Sequence, residues 1–235
     1  MLSWLAGISF MSKLYNQKNP TQYFHVKQIM KGWGRERPAH KDKREPITDD
    51  RLQLILNSVR LITSSEYEEK LIKAAFTAAF WGAFRAGELV AVSKLQSHSG
   101  MQIEDVSTKD NVIMFLLKKS KTDMSGKGKW VIIKRNGLEQ CPWAIISEYA
   151  KLRGDRIGPW LKHQDDTPLT RFQFNALLKK ACNKAGLNPK CIGTHSFRIG
   201  AATSAAVKGA SVEQIKTVGR WTSQCYKRYI RPIPK

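Results

Sequence analysis

A histidine and an arginine three residues apart, His195 and Arg198, precede a Gly219-Arg220-Trp221 run and then Tyr229, which stands among Lys227, Arg228 and Arg231. Residues of these types can carry phosphoryl transfer with a protein nucleophile. A phosphodiester under attack gathers negative charge on its non-bridging oxygens, and fixed guanidinium forks hold such oxygens bidentately. A tyrosine oxygen can link covalently to phosphorus and keep the bond for the return step. The leaving sugar oxygen needs a proton, which a lysine with its pKa lowered by neighbouring cations can donate. The scheme asks for one more arginine and one lysine from upstream, and for no metal or other cofactor.

Local signals place these groups on three short helices. Thr194 is expected to N-cap a helix running through the alanine-rich stretch towards Lys208 and stopped at Gly209. Ser211 with Gln214 spells a capping box for a second, ended at Gly219. A third begins near Ser223 and carries Tyr226 and Tyr229 on one side. Positions i and i+3 share a helical face, so His195 and Arg198 can address one oxyanion.

Upstream, two long helices are expected, from Asp50 to about Thr63 and from Tyr67 to about Phe84, the second buried because it is rich in alanine and aromatics. Arg85 arrives at the end of that apolar helix, where a cation needs a partner. Glu88 is the candidate; taken alone, the two read as an ordinary ion pair. Three strand-like stretches follow: DVST near Asp105, VIMFLLK from Val112, and KWVIIKR from Lys129. The last two flank a glycine-containing hairpin with several lysines, which can enter a groove and bring one ammonium to a leaving group. Residues 142–152, opened by Pro142, and a helix capped by Thr170 and Gln173 that runs to Gly186, read as packing elements without chemistry.

Charge distribution points to a polyanionic partner. Of 235 residues, 40 are Lys or Arg and 19 are Asp or Glu, a net charge of +21. Nearly all of that excess lies in residues 1–45, 118–135 and 190–235. A merely solvated basic surface would spread it evenly, so the pattern favours nucleic acid. The four cysteines lack any C-x-x-C spacing, which argues for reduced thiols inside a cell and against a zinc knuckle. The run MLSWLAGISFM is too short to span a bilayer and has neither a basic n-region nor a cleavage signature, so no membrane association is expected. It reads as part of a helix that wants a partner. Residues 21–33 look helical and amphipathic and lead into a basic, proline-containing linker, residues 35–46.

The ordered set H-x-x-R (His195, Arg198), G-R-W (Gly219 to Trp221) and Y-I-R (Tyr229 to Arg231) resembles the C-terminal half of the tyrosine recombinase, or phage integrase, family. AFRAGEL (Ala83 to Leu89) resembles its first-arginine box, with Arg85 as that arginine and Glu88 as the supporting acid. LKKSKTD (Leu117 to Asp123) resembles its hairpin lysine, at Lys121, with Lys118 and Lys119 as rivals. G-R-W followed eight residues later by tyrosine, and Cys141-Pro142-Trp143, are similar to eukaryotic Crypton and DIRS-like mobile-element members. The resemblance covers about residue 20 to the end. Many bacterial and phage members have nine residues from this turn to the tyrosine, and members that pass a C-terminal helix to a neighbour have more tail than follows Tyr229.

The resemblance implies a mainly helical α+β fold with a small antiparallel sheet. Residues 1–45 would be a partial helical core-binding segment and linker, and residues 46–235 the catalytic domain. A segment of ~45 residues holds only the last helices of such a DNA clamp, so either the chain is truncated at its N-terminus or the clamp is degenerate. The resemblance also implies site-specific cleavage and rejoining of double-stranded DNA through a 3′-phosphotyrosyl intermediate, without a cofactor. Tyr229 would attack, Arg85 and Arg198 hold the oxygens, Lys121 protonate the 5′ oxygen, His195 assist proton movement at the tyrosine, and Trp221 orient the phosphate. Lys118, Lys119, Lys127, Lys129, Arg220, Lys227, Arg228 and Arg231 would contact DNA. A tetramer on DNA and a nuclear location complete the expectation. The alternatives are a mobile-element-derived DNA-binding protein without activity, and a type IB topoisomerase-like relaxing activity.

Overall fold

The computed structural model describes residues 2–36, 42–118, 128–137 and 140–233. The chain divides into two compact units, Met1–Lys43 and Arg44–Lys235.

In the first unit, α1 (Leu2–Leu14) and α2 (Phe24–Glu36) are joined through a 3₁₀ turn at Pro20–Gln22. Asn19 shapes that turn: its side-chain oxygen accepts from the Thr21 N–H at 3.0 Å, and its amide donates to Ser9 Oγ at 2.7 Å. Among the described residues no hydrophobic side chain of this unit is buried, and Trp4, Phe10, Leu14 and Phe24 all face solvent. Some forty residues supply too little apolar area to close a core of their own.

The second unit is built around α4 (Glu66–Trp81). Its start is written locally. Ser65 Oγ accepts from the Glu68 N–H at 3.3 Å, and three glutamates in the first turn complement the positive end of the helix dipole. Its alanine-rich body, buried from Leu71 to Phe80 except Lys73, lets α6 (Pro142–Arg153) and α8 (Ser196–Val207) approach closely. Phe76 meets Phe174 of α7 (Arg171–Lys184) and Phe197 of α8, with ring centroids 5.3 and 5.4 Å away. Each such buried ring stabilises the unit by roughly 2–3 kcal/mol. Helix α3 (Asp49–Ser58) packs on α7, and α9 (Val212–Gly219) on α8.

Strands β1 (Val106–Lys109), β2 (Val112–Leu117) and β3 (Lys129–Lys134) form one antiparallel sheet in that order, at the three stretches read as strands. In β2 the alternation sends Ile113, Phe115 and Leu117 inward. Phe115 meets Phe84 and Trp160 edge-on, which locks the sheet to the end of α4. The mainly helical α+β architecture is therefore as expected. Among the described residues, no helix is long and apolar enough to cross a membrane.

Three local expectations are corrected. The helix expected to reach Phe84 ends at Trp81, because Gly82 caps it and Ala83 turns the chain with φ +44°. The helix expected to reach Thr63 ends at Ser58 and tightens into a 3₁₀ turn, Val59–Leu61. Helix α8 is capped by His195 rather than Thr194. A turn from Gly193 to Ser196 closes first, its N–H and carbonyl both bonded to Ser196, so His195 already has helical angles when the helix begins.

Helix α8 also seats the incoming chain. The Glu45 N–H donates to the Cys191 carbonyl at 2.8 Å, and the Ile47 N–H to that of Ser196 at 3.1 Å. A Cβ at position 200 would lie 1.6 Å from the Ile47 carbonyl oxygen, so only glycine fits at Gly200.

Candidate active site

Arg85 caps a four-residue helix, α5 (Ala86–Leu89), immediately beyond the Gly82–Phe84 turn. Glu88 grips it twice: one carboxylate oxygen accepts from the Arg85 backbone N–H at 2.8 Å, the other from its guanidinium at 2.7 Å. The Glu88 side chain is 9% exposed, while the arginine remains 38% exposed and able to reach a ligand.

Arg198 lies on α8 and is 1% exposed. It donates to the Ala83 carbonyl at 2.6 Å and to the Gly219 carbonyl, so it ties the Arg85 turn to the end of α9. Its Nε is buried without an acceptor among the described residues. Burial holds its pKa below the ordinary arginine value, and Arg85 alongside pushes the same way; Glu88 and Tyr229 oppose both. Two cations thus share one carboxylate neighbourhood, an arrangement that favours an arriving anion.

Tyr229 ends a 3₁₀ helix, Gln224–Tyr229. Residues three apart eclipse in such a helix, so Tyr226 and Tyr229 do lie on one side, but they meet different surroundings. Tyr226 is buried against Ile215 and Trp221, with the Lys216 ammonium 5.8 Å from its ring centre. Tyr229 is half-buried, 4.6 Å from the Trp221 ring, 5.1 Å from that of His195, and 5.6 Å from the Arg198 guanidinium carbon. Trp221 also lies 4.8 Å from that guanidinium, and its buried indole N–H has no acceptor among the described residues. Five of the six residues singled out for catalysis therefore sit in or beside one pocket. The sixth, Lys121, lies outside the described residues, as do Lys119 and Lys127.

Thr203 was not singled out from the sequence. Its hydroxyl donates to the Tyr229 carbonyl at 3.0 Å and accepts from the Arg231 N–H at 3.2 Å, stapling the tyrosine segment to α8. The sequence signal for it is a hydroxyl residue inside an alanine-rich helical run; in the structure that hydroxyl is fully buried.

The expected DNA contacts divide. Lys129, Lys227 and Arg228 are exposed and Arg231 is half-buried. Lys118 is exposed but bonds Asp105 at 2.6 Å and Glu104 at 3.2 Å, which raises its pKa. Arg220 is the correction: its guanidinium turns inward, donating to the Gly82 and Ala83 carbonyls at 2.6 and 3.0 Å and to Glu88 at 3.1 Å. It caps α9 in the left-handed conformation, which aims its side chain back beneath the Arg85 turn.

No protein-family profile matches the chain. In sequence it is 27% identical over 199 residues to an integrase/recombinase XerD homologue of Selenomonas ruminantium, a match spanning 80% of this chain and 54% of that protein. Its fold is similar to that of the XerH site-specific recombinase bound to its difH substrate before cleavage, with TM-score 0.63 and 14% identity over 98% of this chain and 59% of that one. It is also similar to a lambda integrase dimer bound to a COC′ core site, with TM-score 0.60 and 16% identity over 96% and 57%. The chain thus spans between 54% and 59% of these relatives' lengths. The fold is that of the tyrosine recombinase catalytic domain. The sequence relative supports placing the chain in the tyrosine recombinase/integrase family.

Proposed function

We propose that this protein cleaves and rejoins DNA strands at specific sites, with Tyr229 as the nucleophile. The observation that carries the reading is the pocket where the Tyr229 ring meets Arg198, His195 and Trp221, beside two buried N–H donors, Arg198 Nε and Trp221 Nε1, that lack acceptors among the described residues. Buried donors without partners cost about 1–3 kcal/mol each, a cost that an anionic oxygen arriving in the pocket would offset.

In this reading Tyr229 Oη attacks phosphorus as His195 assists removal of its proton. The bond from phosphorus to the sugar 5′ oxygen breaks, and a 3′-phosphotyrosyl link forms. Arg85, Arg198 and the Trp221 indole N–H hold the non-bridging oxygens. Lys121 gives the leaving 5′ oxygen its proton. Lys118 is a poorer donor, because Asp105 and Glu104 hold its proton more firmly. Rejoining runs the same steps in reverse.

Residues 1–45 would contribute to a clamp around the duplex, and recombination of two duplexes would use a tetramer on DNA. The G-R-W and C-P-W runs favour a eukaryotic mobile-element member of the Crypton or DIRS-like kind, working in a nucleus.

A nicked duplex that loses its cleaved end traps the covalent complex. The wild-type protein should form an SDS-resistant adduct on such DNA; Tyr229→Phe should form none while binding duplex within about twofold of wild type, since only the nucleophilic oxygen is lost. An adduct that persists in Tyr229→Phe would refute the assignment.

A further inference from the structure

We propose that Arg220 is a positioning residue for the two arginines of the pocket, fixing Arg198 through the Ala83 carbonyl and Arg85 through the Glu88 carboxylate. The inference rests on the recombinase reading of the same pocket.

Arg220 adopts φ 56° and ψ 42°, a left-handed conformation usually given to glycine at a helix end. A side chain there is strained by its Cβ, and this one is turned inward. The guanidinium packs 5.2 Å from the Phe84 ring centre and meets three acceptors, the Gly82 and Ala83 carbonyls and one Glu88 oxygen. Two of the three are shared with the pocket arginines. The Ala83 carbonyl, on a residue itself at φ +44°, takes Arg198 Nη1 on one lone pair and Arg220 Nη2 on the other. Glu88 Oε2 accepts from both Arg220 and the Arg85 backbone N–H, while Oε1 holds the Arg85 guanidinium.

Each shared acceptor has one position only while both of its donors are present. Without Arg220, the Glu88 carboxylate can rotate about its side-chain bonds and carry Arg85 with it, and the Ala83 carbonyl keeps a single clamp. Burial pushes the pKa of Arg220 down to about 10, so it remains a cation at neutral pH, and Glu88 sits between its guanidinium and that of Arg85. The planar fork reaches three acceptors at once; a lysine ammonium carries the charge without that geometry. With its donors directed at backbone and Glu88, Arg220 acts through its neighbours.

The experiment compares Arg220→Lys with wild type in single-turnover adduct formation on two nicked duplexes. One carries an ordinary scissile phosphodiester, the other an uncharged methylphosphonate at that position. A neutral centre makes little demand on the arginines. Misaligned arginines should therefore slow the phosphodiester about 100-fold and leave the methylphosphonate within about threefold of wild type. Equal losses on both duplexes would mean a purely structural role and overturn the inference, as would no loss on either. An insoluble Arg220→Lys would be replaced by Arg220→Gln, read by the same ratio. In an Arg85→Lys background, where the Glu88 arm of the alignment is already lost and the Ala83 arm remains, Arg220→Lys should cost clearly less than its ~100-fold on wild type; an undiminished loss of about 100-fold would also overturn it. If the wild-type protein forms no adduct on either duplex, the recombinase reading itself fails and the inference goes with it.

Discussion

Arg153 and Arg198 are each 1% exposed, yet their donors meet different surroundings. Arg153, at the last residue of α6, donates to the carbonyls of Gly154, Gly158, Pro159 and Trp160 at 2.8 to 3.3 Å, closing the loop that follows its helix. Arg198 has two carbonyls, two aromatic rings and an Nε that meets no acceptor among the described residues. Burial lowers the pKa of both. What separates a structural cation from one kept for a ligand is therefore whether the protein itself fills the donors.

Exchanging each arginine for lysine should break the contrast most sharply. Arg198→Lys is expected to slow adduct formation by about 10²–10³-fold, the usual loss for one oxyanion donor, with a modest change in urea unfolding. Arg153→Lys should do the reverse: it orphans several buried carbonyls and lowers unfolding free energy by about 2–4 kcal/mol, while the folded fraction forms adduct at the wild-type rate. A comparable rate loss in both variants would erase the distinction.

Trp221→Phe sharpens it at a single atom. The ring beneath the Arg198 guanidinium is kept and the buried N–H is removed, so adduct formation should slow by about tenfold, near the value of one hydrogen bond. An unchanged rate would show that the indole N–H meets no phosphate oxygen.

The smallest effect lies on the Arg153 side. His163 follows Lys162, whose carbonyl accepts the Tyr67 hydroxyl, and pairs with Glu68 at 2.8 Å; that bond raises the histidine pKa above its ordinary 6.5. A raised pKa gives stability that is complete below the unfolded value and lost as pH rises through the folded one. Urea unfolding from pH 6 upward should show a loss of less than about 1 kcal/mol that His163→Gln abolishes. Persistence of the slope in His163→Gln would assign it to another group.

Legibility in the sequence followed the range of each interaction. The capping boxes at Thr170–Gln173 and Ser211–Gln214 are present as read, because four consecutive residues contain the whole device. The three strands were visible as short strand-like runs, the last two flanking a glycine-containing turn, and the Arg85–Glu88 pair from a cation at the end of an apolar run. Thr194 misled because a turn over Gly193–Ser196 pre-empted the cap, and turns of that kind carry a weak residue signature. Arg220 was expected to contact DNA, which needs its guanidinium outside, where charge normally lies. Its inward path depends on a left-handed backbone angle and on acceptors more than 130 residues away, neither of which its neighbours in sequence encode.

The contact between Gly200 and the Ile47 carbonyl makes the incoming chain a fixed part of the wall that carries Arg198. With not even a methyl group's clearance along that seam, the segment and the helix move as one piece. A fragment cut to start after Ile47 would uncover the groove of α8, whereas one starting at Arg44 retains its lining.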